Sequence, residues 1–292
     1  MFDKILLPLD GSTLSEAIIP YVLQLAKGLG SEVAILHVAA PGDEGYLEHV
    51  PDGERIGVPE YLRRMARPFT NEGVSVTTEA VTGHPARQIV QMASERGFDL
   101  IAMSTHGRSG SAQWVYGSTT DKVLQAIATS VFLLRPQDEE ASAKPITSFK
   151  TVIVPLDGSP VGESVLTEAR GLARTLDLRI ALMRVAPSEE TISAFIDPDF
   201  FEPSQVTAIL SRTKAYLDEK AAILRNEGFI VTTTLAEGYV PDQIIEFAKG
   251  TENSLILMSI HGRGGTGRWA IGSVADRVMR ASPRPVLTVR PR

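Results

Sequence analysis

The chain has 292 residues, 43% hydrophobic and 22% charged, with a formal net charge of -6 and no cysteine. That length favours two domains over one, and the composition is that of a folded globular protein and not of a disordered tail. Lack of cysteine excludes disulfides, thiolate nucleophiles and cysteine-based zinc sites, and the acidic balance argues against duplex nucleic acid or an anionic membrane as partner.

No apolar run reaches the ~20 residues that span a bilayer. Met1 leads straight into Phe2-Asp3-Lys4 without a signal-peptide layout, so the expected compartment is the cytoplasm.

Lys4 to Leu9 is a short β-branched and leucine-rich run ending in Asp-Gly-Ser, which predicts a strand buried on both faces that runs into a loop. Thr13-Leu14-Ser15-Glu16 has the spacing of a capping box, and Ile18, Tyr21, Val22, Leu25 and Leu29 recur at helical spacing before Gly30. Glu32 to Ala39 is expected as a strand, Glu54 to Asn71 as a helix, and Gly73 to Val81, which alternates, as a strand. Pro85 to Arg96 then predicts a helix with Ile89, Val90 and Ala93 inward. Phe98 to Met103 reads as a buried strand, Ser118 to Ala128 as a helix and Val131 to Arg135 as a closing strand.

The pattern then starts again. Ile5-Leu6-Leu7-Pro8-Leu9-Asp10-Gly11-Ser12 returns as Val152-Ile153-Val154-Pro155-Leu156-Asp157-Gly158-Ser159, an offset of 147 (157 minus 10). Ser104-Thr105-His106-Gly107-Arg108-Ser109-Gly110 returns as Ser259-Ile260-His261-Gly262-Arg263-Gly264-Gly265, an offset of 155 (262 minus 107). Over 104–136 against 259–291, 14 of 33 positions are identical without a gap, which makes duplication the explanation. The eight extra residues of the second copy fall in 186–203 or just after, as a loop difference. A polar stretch at 137–145 reads as the linker, so the copies are placed at 1–140 and 146–292.

Strands alternating with helices imply an α/β fold: two tandem doubly wound domains, each a five-stranded parallel sheet in the order 3-2-1-4-5 with helices on both faces. In such sheets a ligand binds outside the carboxyl ends of the strands where the order reverses, here after strands one and four.

The chemistry-bearing residues lie at those two places. After strand four comes Ser104-x2-Gly107-x9-Gly117-Ser118-Thr119, with its twin Ser259-x2-Gly262-x9-Gly272-Ser273-Val274. Glycines let the backbone approach a phosphate, and amides at the start of the following helix favour an anion. Arg108 and Arg263 can add a charge-assisted hydrogen bond. The plainer alternative is that the glycines turn the chain and Ser118 caps a helix; two copies at one spacing shift the weight to binding. After strand one, Asp10 and Asp157 can accept hydrogen bonds from a ribose hydroxyl or an adenine amine, with an Asx turn as the competing account. Val38 and Val185, ending strand two, can flank a base.

His106 and His261 do not make a hydrolytic triad persuasive. The pattern Gly-x-Ser-x-Gly is broken, and Ser109 becomes Gly264 in the twin. The five histidines never pair at metal-ligand spacing, so magnesium carried by a nucleotide is the more natural metal. Trp114 and Trp269 read as packing of the loop. Neither a Walker lysine motif nor Gly-x-Gly-x2-Gly follows strand one, which disfavours motor chemistry and dinucleotide oxidoreduction.

Pro8-Leu9-Asp10-Gly11-Ser12, His37-Val38 and the spaced Gly-Ser motif together give each half a resemblance to the universal stress protein family, over almost the whole chain. The resemblance implies ATP binding through Gly-x2-Gly-x9-Gly-Ser/Thr. On it, Pro8, Asp10 and Val38 meet adenosine, Met103 and Ser104 line the crevice, and Gly107, Arg108, Gly117, Ser118 and Thr119 hold phosphates. The matching positions are Pro155, Asp157, Val185, Met258, Ser259, Gly262, Arg263, Gly272, Ser273 and Val274. Ser104 and Ser259 replace the motif's first glycine, which restricts the backbone there.

The resemblance also implies pairing through the last strands, Val131 to Leu134 with Val286 to Val289, into an intramolecular pseudo-dimer; association of two chains stays open. The function expected is a nucleotide-responsive stress protein in which ATP orders the motif loop and alters a surface offered to a partner. A slow ATPase or autophosphorylating enzyme using Ser118 or Ser273 is the second reading, and a nucleotide-free interaction module the third.

Overall fold

A computed structural model describes residues 1–42, 45–47, 55–105, 117–136, 148–188, 203–260 and 271–290. The first copy contributes strands β1 (Lys4–Pro8), β2 (Glu32–Ala39), β3 (Tyr46–Leu47), β4 (Ile56–Gly57), β5 (Val76–Thr82), β6 (Leu100–Ser104) and β7 (Ser130–Leu134). Its helices are α1 (Thr13–Glu16), α2 (Ile19–Leu29), α3 (Val58–Asn71), α4 (Pro85–Glu95) and α5 (Ser118–Ala126). The second supplies β8 (Thr151–Pro155), β9 (Arg179–Ala186), β10 (Val231–Glu237), β11 (Ser254–Ser259) and β12 (Val286–Val289). Its helices are α6 (Pro160–Glu163), α7 (Leu166–Leu176), α8 (Pro203–Asn226), α9 (Val240–Gly250) and α10 (Ser273–Ala281).

Ten strands form one sheet in the order β10-β9-β8-β11-β12-β7-β6-β1-β2-β5. In this sheet every pairing within a copy is parallel, and the order is the expected 3-2-1-4-5. The central strands are apolar on both faces because helices cover both. Ile5 and Leu7 belong to one core with α2, α3, α7 and α8, whereas Leu6 belongs to another with α4, α5, α9 and α10.

The copies join at β7 and β12, the one antiparallel pair of the large sheet, with Val286 opposite Leu133, Leu287 opposite Phe132 and Thr288 opposite Val131. Each strand thereby covers the other's edge, which would otherwise be a site of aggregation. The expected pseudo-dimer is therefore the architecture. Phe149 packs on both Phe132 and Tyr21 and donates its N–H to Gln24 Oε1 at 3.0 Å. Arg280 reaches Asp121 at 3.2 Å. Gly28 is needed for closeness: a Cβ there would stand 2.0 Å from Leu176 Cδ2.

Four local expectations change. Ser12, not Thr13, caps the first helix, since its side chain accepts from the Ser15 N–H, and that helix stops at Glu16 before α2 begins at Ile19. The helix expected from Glu54 starts at Val58, with Pro59 in its first turn, and Ile56–Gly57 pairs with Tyr46–Leu47 as a short antiparallel ribbon. Gly117 holds the N-cap of α5, so Ser118 is the first helical residue and not the cap. Finally, the extra length of the second copy is not loop alone. Helix α8 has 24 residues where α3 has 14, and the two end at equivalent positions, Asn226 and Asn71.

Candidate functional site

The carboxyl ends of β1 and β6, and of β8 and β11, open side by side at the points where strand order reverses. Pro8 and Pro155 are the last residues of β1 and β8. Asp10 and Asp157 follow in a tight turn, in which Gly11 (φ 85°) and Gly158 (φ 78°) adopt the left-handed conformation that favours glycine.

The Asx turn weighed against ligand contact is present in both copies. Asp10 Oδ1 accepts from the Ser12 N–H at 3.0 Å and the Ser12 hydroxyl at 2.6 Å. Asp157 Oδ1 accepts from Ser159 in the same way, at 2.9 and 2.7 Å. A turn and a ligand contact are not exclusive, because a carboxylate has two oxygens and about four acceptor sites. Both aspartates are half-buried.

Strand β6 presents Met103 and Ser104, both buried. The Ser104 hydroxyl donates to the Ser15 carbonyl at 3.5 Å, and the Ser104 carbonyl accepts from the Thr120 hydroxyl at 3.1 Å. Ser104 thus ties β6 to α1 and α5. Met258 and Ser259 hold the same places on β11 and are equally buried. Val38 and Val185, half-buried next to the ends of β2 and β9, pack on the sheet face that α5 and α10 cover.

The Gly117 N–H donates to Thr105 O at 2.8 Å, and the Gly272 N–H to Ile260 O at 2.9 Å. Each glycine is the N-cap of its helix and provides no side-chain cap. The first turn of a helix has N–H groups without intrahelical partners, and the dipole places partial positive charge at that end. Ser118 and Ser273 are exposed, and Thr119 and Val274 half-buried, at these two helix starts. Gly107, Arg108, Gly262 and Arg263 lie outside the described residues, as do His106, His261, Trp114 and Trp269.

A further cluster, not anticipated from the motifs, sits behind each aspartate on the other face of the sheet. In the first copy it consists of Glu16, Tyr61 and His37. His37 Nδ1 lies 2.9 Å from Leu9 O and must carry the proton there, because a carbonyl only accepts. The His37 and Tyr61 rings meet edge to face at 6.1 Å. Burial raises the Glu16 carboxyl above its ordinary range and raises the Tyr61 phenol above its own. Interaction with Glu16 raises the Tyr61 phenol further, while Tyr61 pulls the Glu16 carboxyl down without offsetting its burial.

In the second copy the corresponding groups are joined. Tyr216 donates to Glu163 Oε1 at 2.9 Å, and Lys220 stands 2.8 Å from Glu163 Oε2. The Arg184 guanidinium lies 4.5 Å from the centre of the Tyr216 ring. Burial pushes Glu163 up, but the hydrogen bonds from Lys220 and Tyr216 outweigh it and hold the carboxyl below its usual range. The repeat alone contained the signal for this cluster: Glu16 and Glu163 match at offset 147, and Tyr61 and Tyr216 at 155.

Fold and crevice define a tandem pair of doubly wound α/β units, each with a crevice at the switch point of its sheet. The profile of the Universal stress protein family matches residues 1–135 and again 148–290, and the chain belongs to that family. It is 22% identical to a universal stress protein of Synechocystis sp. over 98% of this chain and 99% of that protein. It is 23% identical to one of Mycolicibacterium smegmatis over 99% of this chain and 97% of that protein. Among solved structures, a universal stress protein from Archaeoglobus fulgidus superimposes with a TM-score of 0.69 at 20% identity, covering 99% of both chains, a likeness of fold. Among the described residues no helix is long and apolar enough to cross a membrane.

Proposed function

We propose that each copy binds one molecule of ATP, and that occupancy alters a surface offered to a protein partner. The observation that carries this reading is the pair of helix starts at Gly117 and Gly272, each uncapped by a side chain and facing the switch-point crevice of its sheet. Amides there suit a polyphosphate. Asp10 and Asp157 accept from the ribose or the adenine amine, and Val38 and Val185 give the base an apolar side. The family resemblance adds Gly107, Arg108, Gly262 and Arg263 to the phosphate contacts, with magnesium carried in by the nucleotide.

Equilibrium dialysis of the purified chain against ATP tests the reading: saturable binding supports it, and none at millimolar nucleotide returns the protein to the class of nucleotide-free interaction modules. Phosphate release addresses the enzymatic alternative. Ser118 and Ser273 are exposed at the helix starts, but fast phosphoryl transfer needs a positioned base and charge stabilisation. Release is expected to stay at background in the parent and in Ser118→Ala, Ser273→Ala alike; a turnover that the double variant abolishes would assign the hydroxyls a chemical role.

A further inference from the structure

In each copy the strand next to β1 or β8 sends one side chain across to the aspartate turn. The Leu9 N–H donates to Leu36 O at 2.9 Å, and the Leu156 N–H to Met183 O at 2.8 Å, so the residues that follow, His37 and Arg184, start level with the two turns. His37 is short and meets Leu9 O, one residue before Asp10, at 2.9 Å. Arg184 is longer and passes Asp157 to reach Gly158, one residue beyond it.

The contact at Gly158 has a particular shape. A Cβ built there would lie 2.9 Å from Arg184 Nη1, 3.0 Å from Nη2 and 3.1 Å from Cζ. Three nearly equal distances mean that the flat face of the guanidinium fills the space a side chain would take. Glycine is thus required twice, for this approach and for its φ of 78°. The same guanidinium stands 4.5 Å from the centre of the Tyr216 ring, a contact that suits a planar cation. Tyr216 is fixed in turn by its hydroxyl, which donates to Glu163 Oε1 at 2.9 Å, and Glu163 ends α6, the helix that follows the turn. Turn, α6, Tyr216 and Arg184 close a ring of contacts behind Asp157.

We propose that Arg184 is a positioning residue of the second crevice: lodged between Gly158 and Tyr216, it holds the Asp157 turn in the shape that receives adenosine. This rests on the ATP reading and adds to it the side chain that sets the turn in advance. A turn already held in its bound shape loses less freedom when nucleotide arrives, so Arg184 contributes to affinity without touching the ligand. The first crevice, whose turn is met through Leu9 O, does not depend on it.

Isothermal titration of the full chain with ATP tests it, in a Gly117→Val background that leaves the second crevice as reporter. Arg184→Met should weaken ATP about tenfold, and Asp157→Ala at least as much. Because Arg184 acts through Asp157, the losses should not add, and the double variant should bind as Asp157→Ala does. A side chain that only stabilised the fold would add its loss to that of Asp157. Arg184→Lys keeps the charge but lacks the plane, and should lose as much as Arg184→Met; it serves alone should methionine disturb folding. The first crevice, read in a Gly272→Val background, should keep its affinity in either variant. Unchanged ATP affinity in a folded Arg184→Met or Arg184→Lys chain, a loss shared by the first crevice, or a double variant that binds more weakly than Asp157→Ala overturns the positioning role while leaving ATP binding intact. No ATP binding in the parent overturns both.

Discussion

Gly162→Ala probes the link between the Asp157 turn and ligand binding. A methyl at this position would stand 2.3 Å from Asp157 Oδ1 and 3.2 Å from Ser159 Oγ, the former about 1 Å inside ordinary contact. The carboxylate must swing aside. The two hydrogen bonds from Ser159, at 2.9 and 2.7 Å, must then re-form in a shifted geometry, as around Asp10, where Ser15 brings a Cβ to the equivalent position and Ser12 still bonds at 3.0 and 2.6 Å; bonds to an ionised acceptor contribute roughly 1.5–3 kcal/mol each, and part of that is lost. Rehydration of a half-buried carboxylate and the better helix propensity of alanine, about 1 kcal/mol, offset much of this. A net loss of about 1 kcal/mol remains, or roughly 2 °C in Tm for a chain of this size.

ATP affinity at the second crevice should fall about tenfold, read by titration in a Gly117→Val background. The first crevice is an internal control, because Ser15 already stands at the equivalent position and places its hydroxyl 2.9 Å from Ser12 O. A Gly162→Ala chain with unchanged melting and unchanged ATP affinity would refute the argument, since the turn would then yield to a methyl at no cost.

Further outcomes follow from the same geometry. Gly117→Val combined with Gly272→Val should leave the fold near parental stability, because both N-caps have extended backbone that any residue adopts; ATP affinity should nevertheless drop at least tenfold, since branched side chains crowd the phosphates. Gly28→Val should destabilise the paired copies by about 1–3 kcal/mol in urea unfolding, because the new side chain displaces Leu176; unchanged stability would show that α2 and α7 are not in close contact. Glu16 and Glu163 should respond to pH with opposite signs. The raised Glu16 carboxyl favours folding when protonated, and that contribution is lost as pH rises from 4.5 through the folded value. Glu16→Gln should thus gain stability over the parent near neutral pH, with the gain vanishing in acid. The depressed Glu163 contributes above 4.5 and loses it as pH falls through the folded value, so Glu163→Gln should be less stable than the parent near neutral pH. Denaturation midpoints at acid and neutral pH check both signs, and the same sign for both variants would contradict the contrast between the clusters.

Strand order and pairing were legible because burial on both faces leaves a continuous apolar signature, as in Ile5-Leu6-Leu7 and its twin Val152-Ile153-Val154, with Asp-Gly-Ser marking where each strand ends. Helix starts were less so. Thr13 and Ser12 are both competent caps, and the choice was made by the Asp10–Gly11 turn, which leaves Ser12 extended with its oxygen toward the Ser15 N–H. Tertiary packing decided Glu54 against Val58, and the same is true of the added turns of α8, where an insertion that looks like loop by offset became helix. Of the candidate site, the placement of the aspartates, valines and N-cap glycines around the crevice was readable from motif spacing. The Glu16–Tyr61 and Glu163–Tyr216 clusters were not, because their members come from elements far apart in sequence, and His37 and Arg184 pass for ordinary strand residues until the fold brings them to the Asp turns.

A structure of the chain crystallised with excess ATP and magnesium tests the central claim most directly. The account places the polyphosphates against the backbone amides that open α5 and α10, with adenosine beside Asp10 and Val38 in one copy and Asp157 and Val185 in the other. Density for nucleotide elsewhere, or both crevices closed by protein side chains, would contradict it.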